Sequence, residues 1–354
     1  MELIDLLEKA LESACSDVYL VPGAKPTARQ GRKMLPLDEQ KLTHDDCETL
    51  ISKAYVLARG RRMDKLLQTG DDDFSFSLRD SGRFRVSAYR QRGTLAAVLR
   101  IVPFGLPDPK SLNIPEEILN LTACRHGMIL VTGATGCGKS TTLACMIDRV
   151  NKTTAGHIIT LEDPIEYLHP HNMSIVSQRE VNQDIESYGQ ALRASLRQSP
   201  DVILLGEMRD FETIQTALTA AETGTLVLST LHTIGAATTI DRIIDVFPAN
   251  RQQQVRIQLS MALRAVVSQQ LLPTVDGGEI PAFEIMIVTP AIQNMIREGK
   301  TYQIDNVIRG GASSGMLCMD TDILRLLQQR KITVDTALAY ALSRENIEKR
   351  IQTA

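Results

Sequence analysis

The run Gly133-Ala134-Thr135-Gly136-Cys137-Gly138-Lys139-Ser140-Thr141 decides how this chain folds. It fits G-x-x-x-x-G-K-[ST], and its flanks fit too. Met128 to Thr132 before it is a short apolar run of β type, and Thr141 to Val150 after it has the residues of a helix. A strand, a glycine-rich loop and a helix N-terminus, in that order, turn backbone N–H groups inward around a polyphosphate, and the helix dipole adds to the attraction. Lys139 then offers a cation to the β- and γ-phosphates and Ser140 a hydroxyl to Mg²⁺. ATP and Mg²⁺ are the ligands this loop predicts.

Three more apolar runs follow, His157–Leu161, Val202–Leu205 and Leu226–Thr230, each separated from the next by a helical pattern. Such alternation predicts a parallel α/β sheet, whose ligands bind beyond the carboxyl ends of its strands. Each run leads into polar residues. The first leads into Glu162, Asp163 and Glu166, with Pro164 biasing Asp163 toward extended backbone; carboxylates grouped there suit Mg²⁺ and a water nucleophile. The second leads into Gly206-Glu207, where a carboxylate can hold a water in line with the γ-phosphate. Arg209 and Asp210 beside it are expected to pair with each other. The third leads into His232 among hydroxyls, where a neutral imidazole can sense the γ-phosphate and report its loss to the next helix. A solvated acidic turn and a structural histidine are the plain alternatives; the position downstream of a phosphate loop favours chemistry.

The chain before the linker has another texture. Leu3, Leu6, Leu7, Ala10, Leu11 and Ala14 stand at helical spacing, a helical stretch runs from about Asp45 to Leu67, and Asp17–Val21, Phe74–Leu78, Arg83–Tyr89 and Leu95–Val102 read as strands. This is an α+β domain over residues 1–102. Residues 103–111, with three prolines in PFGLPDPK, form the linker, and 112–354 the phosphate-loop domain. Beyond Pro248 that domain turns mostly helical, with Val255, Leu259, Ala262, Leu263 and Val266 along one stripe. Phosphoryl transfer needs positive charge beyond Lys139, and the first domain ends rich in it: Arg83, Arg85, Arg90, Arg92 and Arg100. Alternation puts Arg83 and Arg85 on one face. That face is either solvated or delivers arginines across a subunit boundary. Arg59-Gly60-Arg61-Arg62 reads as a solvated helix end.

Composition narrows the classes. The 354 residues carry a net charge of −3, so no global basic field calls for nucleic acid. Aromatics at 4%, with no tryptophan, argue against base-stacking platforms and against a DNA-translocating motor. The six cysteines include no C-x-x-C pair, which fits reduced thiols and no zinc site. The opening MELIDLLEKALESACSD is amphipathic and acid-bearing, unlike a signal peptide, and no stretch reaches membrane-spanning length. A cytoplasmic protein is expected.

Together VTGATGCGKSTTLA, TLEDPIEY, QREV, SPDVILLGEMRDFETIQTALTAAETG, STLHT and IDRIIDVFP resemble the secretion and type IV pilus ATPase superfamily, and within it the PilT-type retraction motors. The resemblance runs from Asp17 to about Tyr340. It implies a PAS-like N-terminal domain, a RecA-like P-loop core and a homo-hexameric ring with ATP between subunits. It places the acidic box on Glu162, Asp163 and Glu166, the Walker B glutamate on Glu207, and the histidine box on His232 and Arg242. Arg85 and Arg100 become the candidates for contacts to a neighbour's nucleotide. GEMRD and AIQNMIRE, Ala291 to Glu298, match the retraction branch, the latter making Asn294 and Arg297 a surface needed for retraction. Such a motor works peripherally at the cytoplasmic face of the inner membrane, through a pilus platform protein and beside a related accessory ATPase. An assembly ATPase for pili or type II secretion, and an accessory ATP-binding ring subunit, are the alternatives. Thr225 stands where many relatives carry the first histidine of that box, and Cys137 where serine is usual, which raises thiol-sensitive nucleotide binding.

Overall fold

The computed structural model describes residues 2–31, 33–59, 61–78, 82–102 and 105–352. Gly60 and the first two linker residues, Pro103 and Phe104, lie outside them. The chain divides into two compact units: Met1–Gly105 with Glu166–Leu168, and Leu106–Ile165 with His169–Ala354.

The first unit contains α1 (Leu3–Glu12), β1 (Asp17–Leu20), β2 (Thr27–Gln30), β3 (Lys33–Pro36), α2 (His44–Leu57), α3 (Asp64–Thr69), β4 (Asp71–Leu78), β5 (Gly82–Gln91) and β6 (Thr94–Val102). Its sheet is antiparallel, in the order β3-β2-β1-β6-β5-β4. Thr43 and Asp46 close a capping box at the start of α2, satisfying helix N–H groups that otherwise have no partner. The stretch read as one helix to Leu67 is thus two, broken after Leu57. Arg61 corrects a further expectation. Its Nε reaches Asp72 Oδ2 at 3.0 Å, and Tyr55 donates to the same oxygen at 2.8 Å. Asp72 is buried, so removing Arg61 would leave a charge in a poorly solvating place.

The second unit runs α4 (Glu116–Asn120), β7 (Gly127–Thr132), α5 (Lys139–Thr153), β8 (His157–Glu162), β9 (Ile175–Glu180), α6 (Tyr188–Ser195), β10 (Val202–Leu205), α7 (Phe211–Glu222), β11 (Leu226–Leu231), α8 (Ala236–Asp245) and α9 (Ala249–Ala262). Then come β12 (Leu263–Pro273), β13 (Glu279–Ile287), α10 (Pro290–Glu298), α11 (Ile304–Gly310), α12 (Met319–Gln328), α13 (Val334–Tyr340) and α14 (Arg344–Gln352). Its sheet has the order β13-β12-β7-β11-β10-β8-β9, parallel except for β13. Side chains alternate between the faces. Met128, Leu130, Ile203 and Leu205 enter one core, while Ile129, Val131, Val202 and Leu204 enter the other. Each fully buried side chain of this size contributes about 2 kcal/mol. These strands are apolar throughout because both faces are covered. One sequence expectation fails here: the stripe from Val255 does not continue as helix, since α9 ends at Ala262 and Leu263 and Val266 lie on β12.

Candidate functional site

The phosphate loop follows β7 and hands over to α5 at Lys139. Gly133 and Gly138 have φ of +143° and +89°, backbone that side chains with a Cβ rarely adopt. They also lack room: a Cβ on Gly133 would lie 2.2 Å from the Gln269 carbonyl oxygen. Lys139 is buried, and its Nζ donates to the carbonyls of Gly133 and Ala134 at 2.8 and 2.9 Å. Burial lowers its pKa, and the nearby Cys137 and Glu207 oppose that shift. An ammonium held by backbone carbonyls at a helix N-terminus can exchange them for phosphate oxygens, so the donor set fits a nucleotide polyphosphate. Ala134, Thr135, Gly136 and Ser140 are exposed on the loop, whereas Cys137 is buried with its thiol pKa raised by that burial.

Glu207 stands just past the end of β10, between Arg209 and His232. Arg209 Nε lies 2.7 Å from its Oε1, and His232 Nε2, beyond the end of β11, lies 3.4 Å from its Oε2. The expected Arg209–Asp210 pair is therefore replaced. Asp210 instead caps α7, accepting from the Thr213 N–H at 2.8 Å. Thr225 precedes β11, at the end of the strand opposite His232, away from this chemistry. Glu162, half-buried at the end of β8, accepts from Thr160 at 2.6 Å and from Gln178 at 3.2 Å. Asp163 and Glu166 are exposed.

Among the described residues no group of three or more His, Cys, Asp or Glu is arranged to hold a metal ion. Ser140, Glu162, Asp163 and Glu207 therefore form no all-protein cage. Mg²⁺ seldom uses one, keeping waters and phosphate oxygens beside one or two carboxylates, so an ion brought by the nucleotide fits this donor set.

Two residues at the site carry no sequence signal. Tyr188, which opens α6, puts its hydroxyl over Gly206, where a Cβ would meet it at 2.7 Å. Burial first, then the charges of Asp163, Glu207 and Glu162, raise its pKa. Gln269 on β12 backs the loop itself. Among the arginines, Arg83 is buried and donates to Ser75 Oγ at 2.6 Å, which gives it a structural task. Arg85 and Arg100 face each other across β5 and β6. Arg100 is balanced by Asp17 at 3.0 Å; Arg85 has no ion pair or hydrogen bond among the described residues. Arg242 is exposed on α8. On α10, Ile292 and Ile296 are buried while Asn294 and Arg297 are exposed and hydrogen-bonded to each other.

A parallel sheet wound on both faces, with a phosphate loop after β7 and a glutamate after β10 on either side of β11, defines a RecA-like P-loop ATPase. The chain belongs to the family described as Type II/IV secretion system protein, which matches residues 2–310. It is 42% identical to the type IV pilus retraction ATPase PilT of Pseudomonas aeruginosa, over 98% of this chain and 100% of that one. It is 49% identical to a twitching motility protein of Neisseria gonorrhoeae, over 78% of this chain and 74% of that one. A crystal structure of the pilus retraction motor PilT with bound ADP superposes with a TM-score of 0.90 at 44% identity, covering 99% of both chains. No helix of the described residues is long and apolar enough to cross a membrane.

Proposed function

We propose that this chain is an ATP-hydrolysing motor that powers type IV pilus retraction and hence twitching motility. The observation that carries the proposal is likeness to PilT over both whole chains, in a protein that keeps the phosphate loop and the Glu207–His232 pair. It works as a homo-hexamer at the cytoplasmic face of the inner membrane and pulls through a pilus platform protein. In each site the loop from Gly133 to Thr141 binds ATP, with Lys139 on the phosphates. Mg²⁺, held by Ser140 with help from Glu162, Asp163 and Glu207, supplies charge neutralisation to the phosphates when bound. Glu207 and Glu166 orient water, and His232 with Arg242 registers the γ-phosphate. Arg85 and Arg100 reach a neighbour's nucleotide. Two guanidinium groups directly opposite each other destabilise a sheet unless an anion balances them, and Arg85 lacks that balance among the described residues.

Glu207→Gln tests the reading at both levels. Purified protein should bind ATP as before and turn it over at least about tenfold more slowly, because an oriented base is lost and no phosphate contact. Cells carrying it should accumulate surface pili and stop twitching. Bald cells would instead assign the motor to assembly, and unchanged turnover would remove Glu207 from the chemistry.

A further inference from the structure

Gln269 and Thr142, 127 residues apart in sequence, meet behind the phosphate loop. Gln269 is 3% exposed, and both ends of its amide are engaged. Nε2 donates to the Cys137 carbonyl at 2.5 Å, and Oε1 accepts the Thr142 hydroxyl at 2.8 Å. Its main-chain carbonyl crowds Gly133, as noted, and a Cβ on Gly138 would lie 2.9 Å from its Nε2. One residue of β12 thus backs the loop at both of its outer glycines, at Cys137 and at the first turn of α5.

The geometry constrains more than packing. A trans peptide points its C=O and N–H in opposite directions. Holding the Cys137 carbonyl toward Gln269 therefore turns the Gly138 N–H away from β12, toward the side where phosphate binds. With Nε2 on a carbonyl, Oε1 must face Thr142, so the amide cannot flip without leaving buried donors and acceptors unsatisfied. We propose that Gln269 is a positioning residue for nucleotide binding: it fixes the Cys137–Gly138 peptide so that the Gly138 N–H meets the phosphates. This rests on the ATPase reading of the loop. Gln269 touches no phosphate itself; it acts through the loop.

Backbone N–H contacts to the phosphates are made in the ground state and in the transition state alike. Losing them weakens uniform binding, which raises KM and leaves kcat nearly unchanged. The test uses the full-length protein, a fluorescent ATP analogue for binding and steady-state hydrolysis for turnover. Gln269→Leu should raise Kd and KM on the order of tenfold, with kcat within about threefold. Thr142→Val, which unlocks the amide but keeps Nε2, should raise both on the order of threefold. The double variant should be no worse than Gln269→Leu, since both act through one amide. Kd and KM within about twofold of wild type in Gln269→Leu overturn the proposal whatever its melting temperature; so does a lowered kcat with KM unchanged. Should Gln269→Leu fail to fold, Gln269→Glu and Thr142→Val decide. Gln269→Glu keeps the size and the Thr142 acceptor but replaces the donor by a carboxylate, and unaltered affinity in both overturns the idea. Wild-type protein that neither binds nor hydrolyses ATP would defeat the ATPase reading instead.

Discussion

At the scale of single residues, position along a strand separates what can be read ahead from what cannot. Glu207 and His232 are legible because each is the first polar group past an apolar run, where the sheet forces it to the ligand edge. Gln269 sits inside the run Val266-Val267-Ser268-Gln269-Gln270-Leu271, and only the fold brings it to Cys137, 132 residues earlier. Arg61 and Asp72 likewise meet through tertiary packing. His169 is a further case, with a measurable consequence. It is buried, its Nδ1 meets no partner among the described residues, and burial pushes its pKa down to about 4, with Asp148 opposing. The unfolded imidazole titrates near 6.5. Between those values the unfolded chain holds the extra proton, so stability is full above the upper one and falls as pH drops toward the lower. The loss is on the order of 3 kcal/mol. Urea midpoints should therefore fall between pH 7.5 and pH 5, and His169→Gln should flatten the difference. An equal fall in both proteins would place the acid sensitivity at other groups. Cys137, by contrast, is buried with a raised pKa, which disfavours the thiolate that thiol-sensitive binding would need.

At the scale of elements, the four parallel strands β7, β8, β10 and β11 were legible, and β9 and the hairpin β12–β13 were not. Leu263 and Val266 continue the spacing of Val255, Leu259 and Ala262, and a short apolar run has no period that tells helix from strand. The discriminating signals lay further on, in the β-branched Val266-Val267 and the turn Asp276-Gly277. The helix after the hairpin carries its own end signals. Thr289 caps α10 with Pro290 in its first turn, and Gly299 ends it at a φ of +70°. Ile292 and Ile296 hold it down, which leaves Asn294 and Arg297 outward and paired. Changing both to alanine should cost the fold within about 1 kcal/mol. ATPase activity should survive, and pilus retraction should fail. ATPase rate and retraction measured side by side decide it: a joint fall ties α10 to hydrolysis, and two unchanged values make it ordinary surface.

At the scale of the whole molecule, the proposed site residues divide between the two units. The phosphate loop, Glu207 and His232 belong to the second unit, whereas Arg85 and Arg100 lie on the sheet of the first. If those arginines serve a neighbour's site, Lys139→Ala chains mixed with Arg85→Ala chains should recover part of the activity that each lacks alone, because hybrid rings contain some intact sites. Specific activity should also fall on dilution. Full activity in isolated monomers would refute the trans arrangement.

Within the second unit, α9 passes into β12 with no residue between them, and β13 reaches α10 through Val288 and Thr289 alone. The two helices pack on each other, so the segment closes on itself through short joints. A frame without slack stores little elastic energy. Any displacement imposed on β12 at the phosphate loop would arrive at the outward face of α10 as translation, instead of being absorbed by a compliant joint.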